Sequence, residues 1–442
     1  MRKYKVISIF FASIMTSSAF SMSGVGDSEV KHSTIQLPEG AEIIYSADVI
    51  RHGARTPIVK ILGIKYPSLW NEVNIPKGQL TMNGFLQIRI LGNRSYQQLE
   101  TVLPEQYSQD SFCVRTTGVN RTIMSALAYL SGLFPDQLYG LPQQPTLNFY
   151  SEAHDDDNLL LQTNNKPDNS YRKANGWKLF WENEAYDNYK KWYDINANFF
   201  TVVDSQYQEK CLKEKNISAE KAYICLMDII RLADNVMTLE NYCSDSNHDC
   251  NAGDILNLSQ NDIDKINEYF GWVYTRDVIA YPYHNDYEFT KYLEAYQQNG
   301  FNTGSNLISE IIHNVEVVEQ SSGKLPNKFT LYSGHDTTTF NILSYLINNN
   351  LKAYQGSNIP MEKYPYFGAT VRFIFYKQNQ QLKALVIYYN SYAEKEGNIV
   401  IGQKVKGGQV AGVDFAEFKK MYYSQTSLES IHNKSHCDYL KN

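Results

Sequence analysis

The stretch "EIIYSADVIRHGARTP", residues 42–57, runs through a mostly apolar segment straight into Arg51-His52-Gly53 and then Arg55. An apolar run of this length reads as a strand buried on both faces. Two guanidiniums and an imidazole within five residues (51–55) repel one another unless something anionic lies between them. In open α/β sheets, ligands sit outside the carboxyl ends of strands. A strand that ends in this cationic group therefore points at once to a fold class and to an anion site.

Further candidate strands lie outward from it. "SFCVRTT" (111–117) is one, and "NKFTLYSGHD" (327–336) holds another that ends at Gly334. "ATVRFIFY" (369–376) and "LKALVIYY" (382–389) are two more, separated by a polar turn. Helical patterns fall between the first strands: residues 83–103, apolar at Leu86, Ile90, Leu91 and Leu99, and residues 121–134. Strands alternating with helices predict an α/β fold, a central mostly parallel sheet flanked by helices. The middle of the chain differs. Residues 177–200 and 219–237 look helical, and no strand pattern interrupts them. The expected organisation is an α/β core from residues 36–140 and 301–442, with a helical insertion, or cap, over 141–300.

The predicted strand ends gather the chemistry. The first runs into Arg51-His52, the second ends at Arg115, and the third ends at Gly334-His335-Asp336, with Arg55 just behind the first. Local signals agree. Gly53 lets the backbone turn tightly or approach a ligand. Thr56-Pro57 reads as a helix start, with Thr56 as the N-cap. Asp336-Thr337-Thr338-Thr339 precedes an amphipathic helix through Ile347, apolar at Phe340, Leu343 and Leu346. Helix N-termini offer unpaired N–H groups to an anion.

Bulk properties narrow the class. Residues 1–21 read as a signal peptide, with a basic start (Arg2, Lys3, Lys5), an apolar run from Val6 to Met15, and cleavage after Ala19 or Ser21. Export to a periplasm or out of the cell is expected, without stable membrane insertion, because the apolar run is too short to span a bilayer. Losing those three cations moves the formal charge from −6 to −9. An acidic protein is a poor nucleic-acid binder, so the basic cluster is local. The six cysteines suggest disulfides in an exported chain; of the 15 pairings the sequence fixes none, the local pairs Cys243–Cys250 and Cys211–Cys225 are the ones expected, and Cys113–Cys437 is what they leave. No metal site is expected. "HDDD" (154–157) reads as a solvated loop rather than a metal cluster, and the Cys225…Arg231 spacing falls in an apolar helical stretch without glycines.

At these residues the sequence resembles the histidine acid phosphatase family, branch 2 of the histidine phosphatase superfamily. The likeness rests on R-H-G-x-R-x-P at 51–57, "GQLTMNGFLQIRILG" (78–92), "RTTGVNRTIMSA" (115–126) and "YSGHDTTT" (332–339), in that order. The resemblance implies a phosphoglycerate-mutase-like core and an acid phosphatase that hydrolyses phosphate monoesters through a phosphohistidine, without a cofactor. It makes His52 the nucleophile and Asp336 the general acid. Arg51, Arg55, Arg115 and His335 would hold the phosphoryl oxygens, and Arg121 would only support them. The chemistry is coherent from below. Guanidiniums offset phosphate charge with a planar fork, disfavour protonation of His52, and leave an imidazole able to divide one displacement into two. An optimum of roughly pH 4–6 is expected. A phytase on the same fold is the near alternative. A catalytically inactive exported anion-binding protein is the distant one.

Overall fold

Ten residues, Glu42–Arg51, form strand β1, which is buried from Tyr45 onward. The computed structural model describes residues 7–8, 35–58, 76–104, 107, 112–135, 148–149, 151, 157, 159–160, 182, 186–187, 190, 216–243, 251–256, 258–267, 303–321, 328–348 and 365–425. The other strands of the main sheet are β2 (Phe112–Thr116), β3 (Phe329–Gly334), β4 (Thr370–Gln378), β5 (Gln381–Tyr389), β6 (Asn398–Ile401) and β7 (Val413–Asp414). Their order is β7-β5-β4-β1-β3-β2, with β6 also on β5. The sheet is mixed. β1, β3 and β2 are parallel neighbours, as expected of strands that end at one rim. From β1 across β4 to β5 and beyond, the pairing is antiparallel. The polar turn between β4 and β5 is the pair Asn379-Gln380, at φ 50° and 64°. Two left-handed residues are what a tight two-residue hairpin requires.

Alternation along the strands sends side chains into two cores. Tyr45, Ala47 and Val49 of β1 pack with helices α4 (Thr303–Gln320), α5 (Asp336–Asn348) and α6 (Phe415–Tyr422), through Ile308, Phe340 and Phe418 among others. Ile50 joins Leu331 and Ile374 against α1 (Met82–Leu99) and α2 (Asn120–Leu133). The result is a helix–sheet–helix sandwich, the arrangement predicted for alternating elements. In α1 the buried stripe differs from the predicted one. Ile90 is 52% exposed, whereas Gln87, Arg94 and Ser95 are buried. An apolar pattern misses a stripe whose polar members are buried because they find partners.

In the middle of the chain, α3 (Ala219–Cys243) is followed by a short helix, Ala252–Leu256, and a helical stretch at 260–267. Ala233, Val236, Met237 and Leu239 of α3 join the same core as β1. Most of the helix predicted over 177–200 lies outside the described residues. Ile7–Ser8, within the expected leader, pair with Asn148–Phe149 in a two-residue ladder. Among the described residues no helix is long and apolar enough to cross a membrane. No described cysteine is a free thiol. The three suggested pairings each involve a residue outside the described set: Cys250, Cys211 and Cys437.

Candidate active site

Register brings the two histidines together. Arg51 of β1 lies opposite Gly334 of β3, so His52 and His335 leave adjacent parallel strands at the same level. The His52 amide donates to the Gly334 carbonyl (3.1 Å), and the imidazoles meet edge to face with centroids 5.5 Å apart. The loop after His52 lies directly on the start of α1. A Cβ on Gly53 would sit 2.1 Å from the Gly84 carbonyl oxygen, so neither backbone leaves room for a side chain there. The Gly53 amide donates to Ser125 Oγ (3.1 Å) and the Ala54 amide to Gln87 Oε1 (3.1 Å). The helix expected to start at Thr56-Pro57 would run beyond residue 58, outside the described residues. The Thr56 hydroxyl donates to the Pro76 carbonyl and accepts from the Gln79 amide, which ties the loop to the segment preceding α1.

The tautomers follow from the partners. His52 Nδ1 lies 2.8 Å from its neighbour's carbonyl, Gly53 O. A carbonyl only accepts, so Nδ1 carries the proton and Nε2 presents a lone pair. Burial, then the charges of Arg121, Arg51 and Arg55, hold the His52 pKa well below its ordinary value. His335 is fixed the other way. Its Nδ1 accepts from Arg121 Nη2 (3.2 Å), so Nε2–H faces Thr117 Oγ1 (3.1 Å). Burial and Arg121 push its pKa down to about 3. Both imidazoles are therefore neutral at mildly acidic pH, and both His335 nitrogens already have protein partners.

The arginines divide into two groups. Arg51, fully buried, donates to the Pro365 carbonyl (2.5 Å), lies over the Phe367 ring (4.2 Å) and sits 3.3 Å from Asp336 Oδ2. Arg55 is gripped at two points by Asp234 of α3, at 2.6 and 3.2 Å. Arg121, in the first turn of α2, donates to His335 and to the Gly78 carbonyl (3.4 Å). Its buried Nε has no partner among the described residues. Burial and the nearby Arg55 lower its pKa to about 10.

Arg115 stands apart. It pairs in register with Tyr332, two residues short of Gly334, so it sits below the level of Arg51. Its guanidinium donates to the Thr116 carbonyl (2.7 Å) and to Asp157 Oδ1 (3.0 Å). Asp157, expected in a solvated loop, is fully buried, and the Leu159 and Leu160 amides donate to the same oxygen. Among the described residues no His/Cys/Asp/Glu group could hold a metal ion.

From the sequence Arg121 was expected only in a supporting part, and Asp234 was not expected at the site. The first was legible in principle, because a helix that follows a sheet strand starts at the ligand rim. The second had no local signal, since α3 is remote in sequence from the loop it meets. That helix is anchored beside the site. Asn83 Nδ2 donates to the Asn241 carbonyl (2.7 Å), Gln87 Nε2 to Asn241 Oδ1 (3.3 Å), and Met237 Sδ lies 3.9 Å from Arg51 Nη1.

A buried imidazole at a strand end, with guanidiniums around it and the Asp336 and Asp234 carboxyl groups against two of them, is a candidate oxyanion site on an α/β sandwich. The chain belongs to the histidine phosphatase superfamily (branch 2), whose sequence model matches residues 42–390. Human testicular acid phosphatase is 35% identical over 116 residues, covering 24% of this chain and 25% of that protein. Bovine prostatic acid phosphatase is 34% identical over 133 residues, 28% of this chain and 33% of that one. These matches thus span a quarter to a third of each relative's length. Among solved structures, the apo form of Hafnia alvei phytase shares the fold with a TM-score of 0.59, at 15% identity, over 88% of this chain and 99% of that one. Bifidobacterium longum multiple inositol polyphosphate phosphatase, with inositol hexasulfate, gives 0.54 at 13% identity, over 89% and 95%.

Proposed function

We propose that this protein is an exported acid phosphatase that hydrolyses phosphate monoesters through a phosphohistidine at His52. One observation carries the reading. Nδ1 of His52 is committed to a carbonyl, so the opposite nitrogen is an unprotonated nucleophile within the influence of Arg51, Arg55 and Arg121. Family membership and the acid phosphatases among the relatives support the same chemistry.

In the proposed first step, His52 Nε2 attacks phosphorus in line. The N–P bond forms, the P–O bond to the alcohol breaks, and Asp336 gives its proton to the leaving oxygen. In the second, water attacks phosphorus and Asp336 takes its proton back. The N–P bond breaks, and inorganic phosphate leaves. Guanidiniums aimed at the phosphoryl oxygens favour the transition state over the ground state only if they are fixed in advance. Burial and the contacts of Arg51 with Pro365 and Phe367 supply that fixity. We place Arg121 with Arg51 and Arg55 as the third phosphate-binding arginine, and Arg115 beneath them as structural. His335 serves best as an uncharged neighbour that orients Arg121.

Acid-quench trapping with a labelled phosphomonoester, followed by mapping of the label, tests the reading. Label on His52 is the expected result, and label on any other residue overturns it. Asp336→Asn should slow poor leaving groups far more than good ones. An equal loss for both would remove Asp336 from the general-acid role.

The remaining proposals are organisational. Residues 1–21 act as a signal peptide, residues 141–300 form a cap over the core, and the cysteines pair as Cys243–Cys250, Cys211–Cys225 and Cys113–Cys437. The absence of a free thiol among the described cysteines supports the last, and relatives named as lysosomal enzymes support a non-cytoplasmic setting.

A further inference from the structure

Two of the three guanidiniums that act on His52 already face carboxylates, Arg51 with Asp336 and Arg55 with Asp234. Among the described residues, Arg121 is bonded to a carbonyl and to His335. Asp336 has a task in the proposed reaction, whereas Asp234 has none. It comes from α3, on the helix face that carries Met237 and Asn241, the residues that touch Arg51, Asn83 and Gln87. Positions 234, 237 and 241 recur at the spacing of one helix face. That face is a wall of the site, and its charged member is an acid that is 14% exposed.

Asp336 must carry a proton at the start of the proposed reaction, so Asp234, paired with Arg55, is the acid among the described residues that this wall sets beside the substrate. Such an arrangement suits a single phosphoryl group. It does not suit a substrate that brings several more phosphates to the same wall, where each would meet a fixed like charge. We infer that Asp234 is a specificity-determining residue. It holds Arg55 and sets a negative charge beside the reacting phosphate, so that the enzyme takes esters with one phosphate on an otherwise neutral or cationic alcohol and disfavours polyphosphorylated ones. This inference rests on the phosphomonoesterase reading above.

The test compares kcat/KM for p-nitrophenyl phosphate and for myo-inositol hexakisphosphate in the wild type, Asp234→Asn and Asp234→Glu. The wild type should prefer the monophosphate. Asp234→Asn should shift the ratio toward the hexakisphosphate by about tenfold or more, and Asp234→Glu should keep the wild-type ratio. A wild-type preference for the hexakisphosphate overturns the inference without any variant. So does an equal loss on both substrates in Asp234→Asn, because that is what a residue merely supporting Arg55 would give. Calorimetry with inorganic phosphate and inositol hexakissulfate, in a His52→Ala background, repeats the comparison without turnover. Selective tightening of the hexakissulfate in Asp234→Asn upholds the charge argument, and equal changes sink it. Failure of the phosphatase reading is seen separately, as a wild type that hydrolyses neither substrate.

Discussion

Strand β1 is bordered by two clusters of buried arginine that behave in opposite ways. On the α1–α2 side, Asp48 meets Arg372 of β4 in a two-point pair at 2.7 and 2.6 Å. The Tyr129 hydroxyl and Ser95 also reach Asp48, and Gln98 and Ser95 reach Arg372, so the guanidinium is bonded at all three nitrogens. Asp48 raises the Arg372 pKa above its ordinary value despite burial. At the strand end, by contrast, Arg121 is lowered to about 10 by burial and by Arg55, and His52 is lowered by burial and then by the charges of Arg121, Arg51 and Arg55. A closed ion pair clamps the helices to the sheet. The opposed shifts follow from the difference in pairing, and under the proposed function the second cluster is the one that meets an oxyanion.

The contrast can be broken by substitution. His52→Ala should lower kcat by about 10⁴-fold or more while leaving the unfolding midpoint nearly unchanged. Substantial residual turnover would dissolve the functional half of the comparison. Asp48→Ala should leave Arg372 uncompensated and cost about 3–5 kcal/mol in chemical denaturation. Replacing both members, as in Asp48→Leu with Arg372→Met, should recover most of that loss. If the double variant is as unstable as the single one, the pair does not act as a closed unit. Arg121→Ala should cost about 10²–10³ in kcat/KM with stability retained. Arg115→Ala should instead lower stability, because buried Asp157 loses its cation. The reverse outcome would restore Arg115 to the site.

A further contrast lies in pH dependence, and its sign is fixed. His335 has a folded pKa of about 3 against an ordinary 6.5, so the unfolded chain takes up a proton first as pH falls. The stability this contributes is complete above pH 6.5 and is lost progressively down to about pH 3, at a limiting slope of about 1.4 kcal/mol per pH unit. His52 acts in the same direction. Denaturant midpoints measured across that range should fall with decreasing pH, and His335→Asn should flatten the curve.

Much of this was legible in the residues. β1, β2 and β3 lie within a residue or two of their apolar runs, because a strand buried on both faces has few ways to look otherwise. The same holds for α5, whose start at Asp336 and apolar face were both marked. His52 and His335 were both expected at strand ends, and the structure places each there, side by side. Arg115 was also at a strand end, yet its register places it two residues lower, against Tyr332. Register between parallel strands is set by packing across the sheet, and no single strand encodes it. Ile90 misled for a related reason, since the buried face of α1 is held partly by polar contacts.

By itself the sequence determined the strands, the order of the motifs and the residue types available to meet a phosphate, because periodicity and local turn chemistry are properties of neighbouring residues. Only the tertiary structure decided which arginine stands beside His52, which nitrogen of each histidine carries the proton, and that Asp234 reaches Arg55 from 179 residues away. Those outcomes depend on register, helix docking and the charges that converge when distant segments meet, and such quantities do not exist until the chain has folded.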